Sequence, residues 1–111
     1  MYEMRHALSA NGIDIYQRWL DSVRDRKAVL KIMTRVDRAE QGNFGVHKSV
    51  GGGVYERVID YGPGYRVYYA IAGLEIVILL GGGTKDQQQS DIDQAKELWR
   101  CVEKGNANGK N

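Results

Sequence analysis

The sequence predicts an α+β fold in which an antiparallel sheet packs against helices. Two runs rich in Val, Ile and Tyr, Glu56–Tyr61 and Tyr65–Tyr69, flank the turn Gly62-Pro63-Gly64, and this pattern is typical of a β-hairpin. A third run, Ile76–Leu80, is apolar throughout, so we expect a strand that is buried on both faces and lies centrally in the sheet. Segments with apolar residues at helical spacing precede and follow these strands, which indicates helices at both ends of the chain.

The chain begins with a predicted strand and a predicted helix. Tyr2–Leu8 is interpreted as the first strand, although its alternation of polar and apolar residues is weak. A helix is predicted from about Gly12 to Val23, with Ser9 or Asn11 as its N-cap and Asp14 in its first turn. This prediction depends on apolar residues at helical spacing: Ile13, Tyr16, Leu20 and Val23.

A second helix is predicted to start at the N-cap Asp25 and to end near Gln41. Its apolar side consists of Val29, Ile32, Met33 and Val36. The opposite side carries regularly spaced cations: Arg24, Lys27, Lys31, Arg35 and Arg38. Such a stripe is most often a solvated helix face, but it also suits a rail for nucleic-acid phosphates. On the second interpretation, Lys27, Lys31 and Arg35 are candidate RNA-binding residues.

Two glycine-rich segments are predicted to lie outside the regular elements. The segment 42–53 is interpreted as a flexible loop that leads into the hairpin. Its run Gly51–Gly53 is not a phosphate-binding loop, because no Gly-Lys-Ser/Thr follows it. The second segment, Gly81–Lys85, is predicted to be the exit from the third strand of the sheet.

A third helix is predicted to start at Ser90 and to end near Lys104 and Gly105. Its apolar side consists of Ile92, Ala95, Leu98, Trp99 and Val102. The sequence shows no repeat and no linker. We therefore expect residues 1–104 to form a single domain and residues 105–111 to form a flexible tail.

Composition excludes several classes of protein. With 111 residues, of which 42% are hydrophobic, the chain suits one packed domain of modest size. No apolar run approaches membrane-spanning length, and the first residues lack a signal-peptide core, so we expect a cytoplasmic protein with no membrane partner. The single cysteine, Cys101, cannot form an intramolecular disulfide, and with His6 and His47 as the two histidines there is no zinc ligand set. We predict neither a metal nor another cofactor.

The register of the hairpin predicts one sheet face with polar side chains. If Tyr61 faces Tyr65, alternation places a partly polar set on one face: Glu56, Val58, Asp60, Arg66 and Tyr68. The other face is mostly apolar and is expected to meet helices: Arg57, Ile59, Tyr61, Tyr65, Val67, Tyr69 and Ile71. The polar face is expected to be open. Lys85 from the strand exit, and His47 and Lys48 from the preceding loop, are expected to reach it.

This polar face carries groups that suit RNA strand cleavage. That reaction needs cations to fix a phosphate and a group that moves a proton. Negative charge grows on the phosphate oxygens in the transition state, and the planar fork of Arg66 is a good donor for them. There is no Ser-His-Asp pattern and no obvious pair of carboxylates. The alternative for Arg66 is a simple cross-strand ion pair with Asp60.

A series of motifs extends over most of the chain, from Trp19-Leu20 to Trp99. It comprises Gly42-Asn43-Phe44-Gly45, Lys48, Glu56, Ile59-Asp60-Tyr61-Gly62-Pro63-Gly64-Tyr65-Arg66-Val67-Tyr68-Tyr69, Gly82-Gly83-x-Lys85, Gln89, Asp91-Ile92 and Ala95. The series resembles the RelE/ParE superfamily of bacterial toxins, and within it the HigB-like branch of addiction module killers. The Gly-Pro-Gly-Tyr-Arg-x-Tyr-Tyr motif, followed by Gly-Gly-x-Lys, is specific in combination.

This resemblance implies a RelE-like fold and a toxin of a type II toxin–antitoxin system. RelE-like and HigB-like members are ribosome-dependent mRNA endonucleases that promote attack of a ribose 2′-hydroxyl on the adjacent phosphate. Carried over by position, Arg66 holds the scissile phosphate, Lys85 supplies positive charge or moves a proton, and Lys48 is a further RNA contact. The implied partners are a cognate DNA-binding antitoxin, the ribosome and mRNA. From its position on the same face, we infer that Tyr68 stacks on a base or holds the phosphate.

One position departs from the family pattern and leaves alternatives open. The pattern has an arginine where this chain has Val58, and Arg57 stands one place earlier. A shift of one residue sends a side chain to the other face, so without a β-bulge Arg57 contributes to RNA binding only from the rim. The alternatives are a ParE-like gyrase poison that acts by binding, and a degenerate toxin that only binds its antitoxin.

Overall fold

A computed structural model of the chain describes residues 1–108, and the side chains of residues 1–105. The α+β class is confirmed by five strands and three helices. In chain order these elements are β1 (Glu3–His6), α1 (Ile15–Ser22), α2 (Arg26–Glu40), β2 (His47–Gly51), β3 (Val54–Ile59), β4 (Tyr65–Ala72), β5 (Ile76–Thr84) and α3 (Gln88–Asn108). A short 3₁₀ turn, Lys85–Gln87, joins β5 to α3.

The five strands form one mixed sheet in the order β1-β5-β4-β3-β2. The predicted antiparallel arrangement is confirmed for β3, β4 and β5, but β1 pairs with β5 in parallel at the edge. The run Ile76–Leu80 lies in an interior strand, and Val77, Ile78, Leu79 and Leu80 are buried as predicted. Helices cover both faces of the sheet: α1 and α2 lie on one face, and α3 lies on the other.

The predicted loop over 42–53 is wrong for its central part. His47–Gly51 forms β2, an edge strand that pairs antiparallel with β3 and contains an irregularity between Ser49 and Gly51. All residues of β2 except Val50 are exposed. An edge strand that buries so little lacks the apolar alternation by which a strand is recognised in a sequence.

Helix boundaries follow the capping side chains. Asp14, and not Ser9 or Asn11, caps α1, because its carboxylate accepts a hydrogen bond of 3.0 Å from the backbone N–H of Gln17. Asp25 caps α2 as predicted and accepts from the N–H groups of Lys27 and Ala28. The end of α2 at Glu40 also agrees with the prediction.

The C-terminal helix is longer than predicted at both ends. It begins at Gln88, so Ser90 lies inside α3 and not at its start. It continues through Gly105 to Asn108, past the predicted end. A single glycine in a helix costs only about 1 kcal/mol relative to alanine, so it does not stop a helix by itself. Of the tail predicted for residues 105–111, residues 109–111 lie outside the described residues.

The hairpin register differs by two residues from the predicted one. Val58 lies opposite Arg66, Glu56 lies opposite Tyr68, and Asp60 lies beyond the end of β3. The predicted Asp60–Arg66 pair is therefore wrong. A shift of two residues preserves the alternation of side chains, so the membership of the two faces is correct for the residues inside the strands. We call the face with Glu56 and Arg66 the Arg66 face, and the opposite one the Arg57 face.

The sequence predicts that the Arg66 face is open, but in the structure this face is covered. The apolar side of α3 packs on it, and Tyr68 and Leu80 are fully buried against Ile92, Ala95 and Trp99. The Arg57 face meets α1 and α2 as predicted, and its core contains Ile32, Ile59, Val67 and Leu79. Within residues 1–108, no helix combines the length and the apolar character needed to cross a membrane.

Two glycines of β5 allow helices to approach the sheet from both sides. A Cβ atom at Gly82 would overlap the ring of Trp19 in α1, and a Cβ atom at Gly83 would overlap the carboxylate of Asp91 in α3. Residues 81–84 of the segment predicted as the strand exit therefore belong to β5, and Gly82 and Gly83 are needed for close packing.

We expect Gly83→Ala to destabilise the protein by about 1–3 kcal/mol, because the added methyl group forces α3 away from the sheet. Urea denaturation monitored by circular dichroism measures the change. Gly105→Ala is the matched control, since nothing lies within 4 Å of an added Cβ there, and a slight gain in helix stability is expected. Equal stability of the two variants would contradict the close packing at Gly83.

Candidate active site and nucleic-acid interface

Two of the cations predicted from the sequence, Lys48 and Arg66, lie beside a buried carboxylate. The Glu56 side chain in β3 is almost completely buried between the neighbouring strands β2 and β4. Arg66 Nε lies 3.6 Å from Glu56 Oε2, and Lys48 Nζ lies 3.8 Å from Glu56 Oε1. Both distances are longer than a hydrogen bond, so the carboxylate attracts the two cations through its charge and offsets one of their charges.

The Gly-Pro-Gly turn contacts both Arg66 and the backbone of the third predicted cation, Lys85. The carbonyl oxygen of Gly64 accepts a hydrogen bond of 2.9 Å from Arg66 Nη1 and one of 3.0 Å from the backbone N–H of Lys85. Gly64 has a φ of 81°, a conformation that favours glycine. One carbonyl of the turn therefore fixes both the Arg66 guanidinium and the start of the segment that carries the exposed Lys85 side chain.

Two further side chains complete the network around Glu56. The hydroxyl of Tyr68 donates a hydrogen bond of 3.1 Å to Glu56 Oε2, and Gln88 Nε2 donates one of 2.7 Å to the same oxygen. Burial, together with the charge of Glu56, raises the pKa of the Tyr68 phenol. Tyr68 is therefore a neutral donor to Glu56. Sequence reasoning missed Gln88, since nothing local indicates that a residue at the start of α3 contacts β3.

The predicted stacking role of Tyr68 is wrong for this conformation. Its side chain is fully buried under α3 and is not accessible to a nucleic-acid base. The cause is the packing of α3 on the Arg66 face.

Asp91 of α3 also lies close to this region, beside Gly83, and burial raises the pKa of its carboxyl group. A carboxyl group with a raised pKa is suited to holding a proton.

Arg57 lies on the opposite side of the sheet from Arg66. The ladder between β3 and β4 is regular from Tyr55 to Ile59, so no bulge turns Arg57 towards Arg66. The residue opposite Arg66 is Val58 and not the predicted Asp60, so no second arginine stands beside Arg66 in β3. Arg57 is only 7% exposed, and it is not a flexible residue at the rim.

His47 also lies on the Arg57 face and does not reach the Arg66 face. It is paired with Arg57 across β2 and β3, and its Nδ1 atom lies 3.0 Å from the carbonyl oxygen of Gly45. Its ring meets those of Phe44 and Tyr55 at centroid distances of 5.9 and 6.3 Å. The Tyr69 ring is stacked between these two aromatic residues.

The basic stripe of α2 borders the same side of the protein. Lys27, Lys31 and Arg38 are exposed, Arg35 is partly buried, and none of them belongs to an ion pair among the described side chains. The Lys31 ammonium group lies 5.1 Å above the centre of the Tyr61 ring.

The predicted site residues form two groups on opposite faces of the sheet: Lys48, Arg66, Tyr68 and Lys85 on one, and Lys27, Lys31, Arg35, His47 and Arg57 on the other.

Tyr69, a buried tyrosine on the Arg57 face, gives the stability of the protein a defined pH dependence. Burial raises the pKa of Tyr69 to about 12, from about 10 in the unfolded chain. Its contribution to stability is therefore complete below pH 10 and is lost as the pH rises towards 12. The expected loss is roughly 2–3 kcal/mol. Tyr69→Phe should show a shallower fall in the free energy of unfolding over this range. Identical slopes in denaturant titrations of the two proteins would contradict the assignment.

The fold and these two groups define a small α+β protein with a cationic cluster on each side of its sheet. No protein-family profile matches the sequence. The chain is 46% identical over 83 residues to an uncharacterized protein of Haemophilus influenzae, an alignment that covers 75% of this chain and 84% of the other. The chain therefore belongs to the same protein family as that Haemophilus influenzae protein. Among the described residues, no group of three or more His, Cys, Asp or Glu side chains is arranged to hold a metal ion.

Proposed function

We propose that the chain is the toxin of a type II toxin–antitoxin system, with a RelE-like fold, and that it cleaves ribosome-bound mRNA in the cytoplasm. The observation that carries this proposal is the arrangement of Lys48, Arg66 and Lys85 around Glu56 and the Gly64 carbonyl. These are the three cations that the resemblance to RelE/ParE toxins assigns to RNA cleavage. The order of the elements, with two N-terminal helices on one sheet face and a C-terminal helix on the other, supports the same proposal.

In the proposed reaction, the ribose 2′-oxygen forms a bond to the adjacent phosphorus, and the bond from phosphorus to the 5′-oxygen breaks. The proton of the 2′-hydroxyl leaves to a base, and the departing 5′-oxygen gains a proton. The products are a 2′,3′-cyclic phosphate and a 5′-hydroxyl. The Arg66 guanidinium binds the phosphate oxygens, on which negative charge grows in the transition state. Lys85 adds positive charge or moves a proton, and Lys48 contacts the RNA.

Glu56 positions the cations in this proposal and does not touch the substrate. It is buried, and its Oε2 atom accepts hydrogen bonds from Tyr68 and Gln88. These contacts fix the carboxylate, whose charge lies 3.6 Å from Arg66 Nε, while the Gly64 carbonyl accepts the hydrogen bond that orients Arg66. The proposed partners are a DNA-binding antitoxin and the ribosome, whose RNA Lys27 and Lys31 contact from the exposed side of α2.

One observation supports a second candidate function. Val58 stands opposite Arg66, and Arg57 lies on the other face, so the cluster has one cation fewer than the family pattern. A degenerate toxin that binds its antitoxin without cleaving RNA, or a gyrase poison that acts by binding, does not need that cation.

Cleavage of a ribosome-bound mRNA by the purified chain tests the proposal. Primer extension should show cuts in mRNA on ribosomes and none in the same mRNA without ribosomes. The absence of cuts, with the protein folded by circular dichroism, would reject the endonuclease. A growth assay then separates the two alternatives, because a gyrase poison induces DNA-damage signalling and a degenerate toxin leaves growth unchanged.

A further inference from the structure

Arg57 is a buried cation whose Nε atom has no hydrogen-bond partner. The residue is only 7% exposed. None of the residues that the structure describes accepts a hydrogen bond from its Nε atom. No ion pair of the described side chains includes Arg57. A buried N–H group of a charged side chain is costly when it has no partner, so we expect Arg57 to serve an anion that comes from outside the chain.

Two more guanidinium groups lie close to Arg57 and increase the demand for an anion. Arg35 lines the same cavity as Arg57, and Arg35 and Arg38 together line a shallow depression on the adjoining surface of α2. Burial, and then the charge of Arg35, lowers the pKa of Arg57. The acidic residues Asp37 and Glu40 of the same helix line a different depression, beside Tyr16.

The end of the Arg57 side chain lies against Gly45, in the segment between α2 and β2. This glycine is exposed and has a φ of 57°, and a Cβ atom on it would overlap the Arg57 guanidinium. Only glycine allows the backbone to pass this close to the side chain. The exposed ring of His47 and the partly exposed rings of Phe44 and Tyr55 border the same place.

We infer that Arg35, Arg38 and Arg57 form a phosphate-binding site on the Arg57 face, and that its ligand is a backbone phosphate of single-stranded RNA. Guanidinium groups bind phosphate through paired hydrogen bonds, which an ammonium group cannot make. Aromatic rings beside a cationic groove are a common arrangement for single-stranded RNA, because bases stack on them. The site is separate from Lys48, Arg66 and Lys85, which lie across the sheet.

The choice of RNA as ligand rests on the proposed function, whereas the binding of phosphate does not. A free phosphate ion offers the same chemistry, so the two sources are tested separately. The carboxylates of an acidic protein segment are a different class of ligand. Competition between an acidic peptide and phosphate is therefore one of the results that the test distinguishes.

The first measurement is the thermal stability of the full chain in sodium phosphate and in sodium chloride at equal ionic strength. Phosphate is expected to raise the melting temperature of the wild type and to have no effect on Arg57→Met, which keeps the length of the side chain without its charge. In chloride, Arg57→Met is expected to melt no lower than the wild type, because it removes an unpaired buried charge. A lower melting temperature in chloride, with the phosphate effect retained, would show that Arg57 is structural and overturn the site.

The second measurement is binding of a short, labelled RNA whose riboses carry 2′-O-methyl groups, so that no cleavage is possible. Affinity is followed by fluorescence anisotropy over a range of salt. The double variant Arg35→Gln/Arg38→Gln should weaken binding about tenfold and reduce the slope of log K against log salt by about 0.7, the value for one lost phosphate contact on a single strand. The matched control, Arg18→Gln/Arg26→Gln, removes the same charge from two exposed positions outside the basic stripe, one in α1 and one at the start of α2, and should leave the slope nearly unchanged.

Each outcome decides one part of the inference. Equal losses in both double variants would mean general attraction of RNA to a basic surface and would overturn the site. A phosphate effect without a change in the RNA slope would overturn RNA as the ligand, as would binding of an acidic peptide that competes with phosphate while RNA does not bind. Binding that depends on Arg35 and Arg38, in a chain that cuts no mRNA, would support the site while rejecting the proposed function.

Discussion

Replacing Arg66 by alanine is expected to lower the rate of mRNA cleavage on the ribosome by at least about 100-fold, the usual effect of removing one preorganised donor to a transition-state charge. Arg66 is only 12% exposed in its side chain, its Nη1 atom donates a hydrogen bond to the Gly64 carbonyl, and the Glu56 carboxylate lies 3.6 Å from its Nε atom. A donor that is already oriented does not need to reorganise during the reaction. Cleavage of ribosome-bound mRNA, quantified under single-turnover conditions, measures the effect.

Two further variants make this result specific. Arg66→Lys keeps the charge but loses the planar fork, so its rate should fall between those of the wild type and the alanine variant. Arg18→Ala removes an exposed arginine from α1 and should leave cleavage unchanged. Arg66→Ala leaves Lys48 as the one described cation within 4 Å of Glu56, so circular dichroism must confirm that the variant is folded. Full activity in folded Arg66→Ala would reject the role of Arg66.

The second large effect is expected from Tyr68→Ala, which should lower the free energy of unfolding by about 3–5 kcal/mol, as for other large aromatic side chains removed from a core. Tyr68 is fully buried between β4 and α3. Its removal also takes away one of the two hydrogen bonds that Glu56 Oε2 accepts from uncharged side chains. Urea denaturation at neutral pH measures the loss.

Tyr68→Phe separates packing from hydrogen bonding at the same position. The ring remains, so the expected cost falls to roughly 1–2 kcal/mol, the value of a buried hydrogen bond whose acceptor keeps another donor. Cleavage should be reduced in this variant, because Glu56 is held less firmly, even though a phenylalanine stacks on bases as well as a tyrosine does. Unchanged stability in both Tyr68→Ala and Tyr68→Phe would contradict the buried position.

The elements that depend on local patterns were predictable from the sequence. The caps and apolar spacing of α2, the Gly-Pro-Gly hairpin and the apolar run in β5 all determine their own structure. Strand β2 was not predictable, because an exposed edge strand has no apolar alternation. The parallel pairing of β1 with β5 was missed for a different reason: it depends on residues far apart in the sequence, and the weak pattern of β1 gives no direction of pairing.

The candidate site was predictable only as far as alternation along the strands extends. Alternation assigned Glu56 and Arg66 to one face and Arg57 to the other, and an error of two residues in register left this result intact. It did not show which helix covers which face, so Tyr68 was expected to be accessible when α3 in fact covers it. The contact of Gln88 with Glu56 joins residues 32 positions apart, and no local signal indicates it.

The pairing of β1 with β5 also determines how late during synthesis the sheet can form. Glu3 is made 73 residues before its partner Ile76, which lies in the fifth strand, and Lys85 and α3 come later still. Contacts between such distant segments form late, because closing a long loop has a high entropic cost. The cluster of Lys48, Arg66 and Lys85 therefore cannot assemble until most of the chain has left the ribosome. For a toxin proposed to act on ribosomes, this order separates its own translation from its activity and leaves time for an antitoxin to bind.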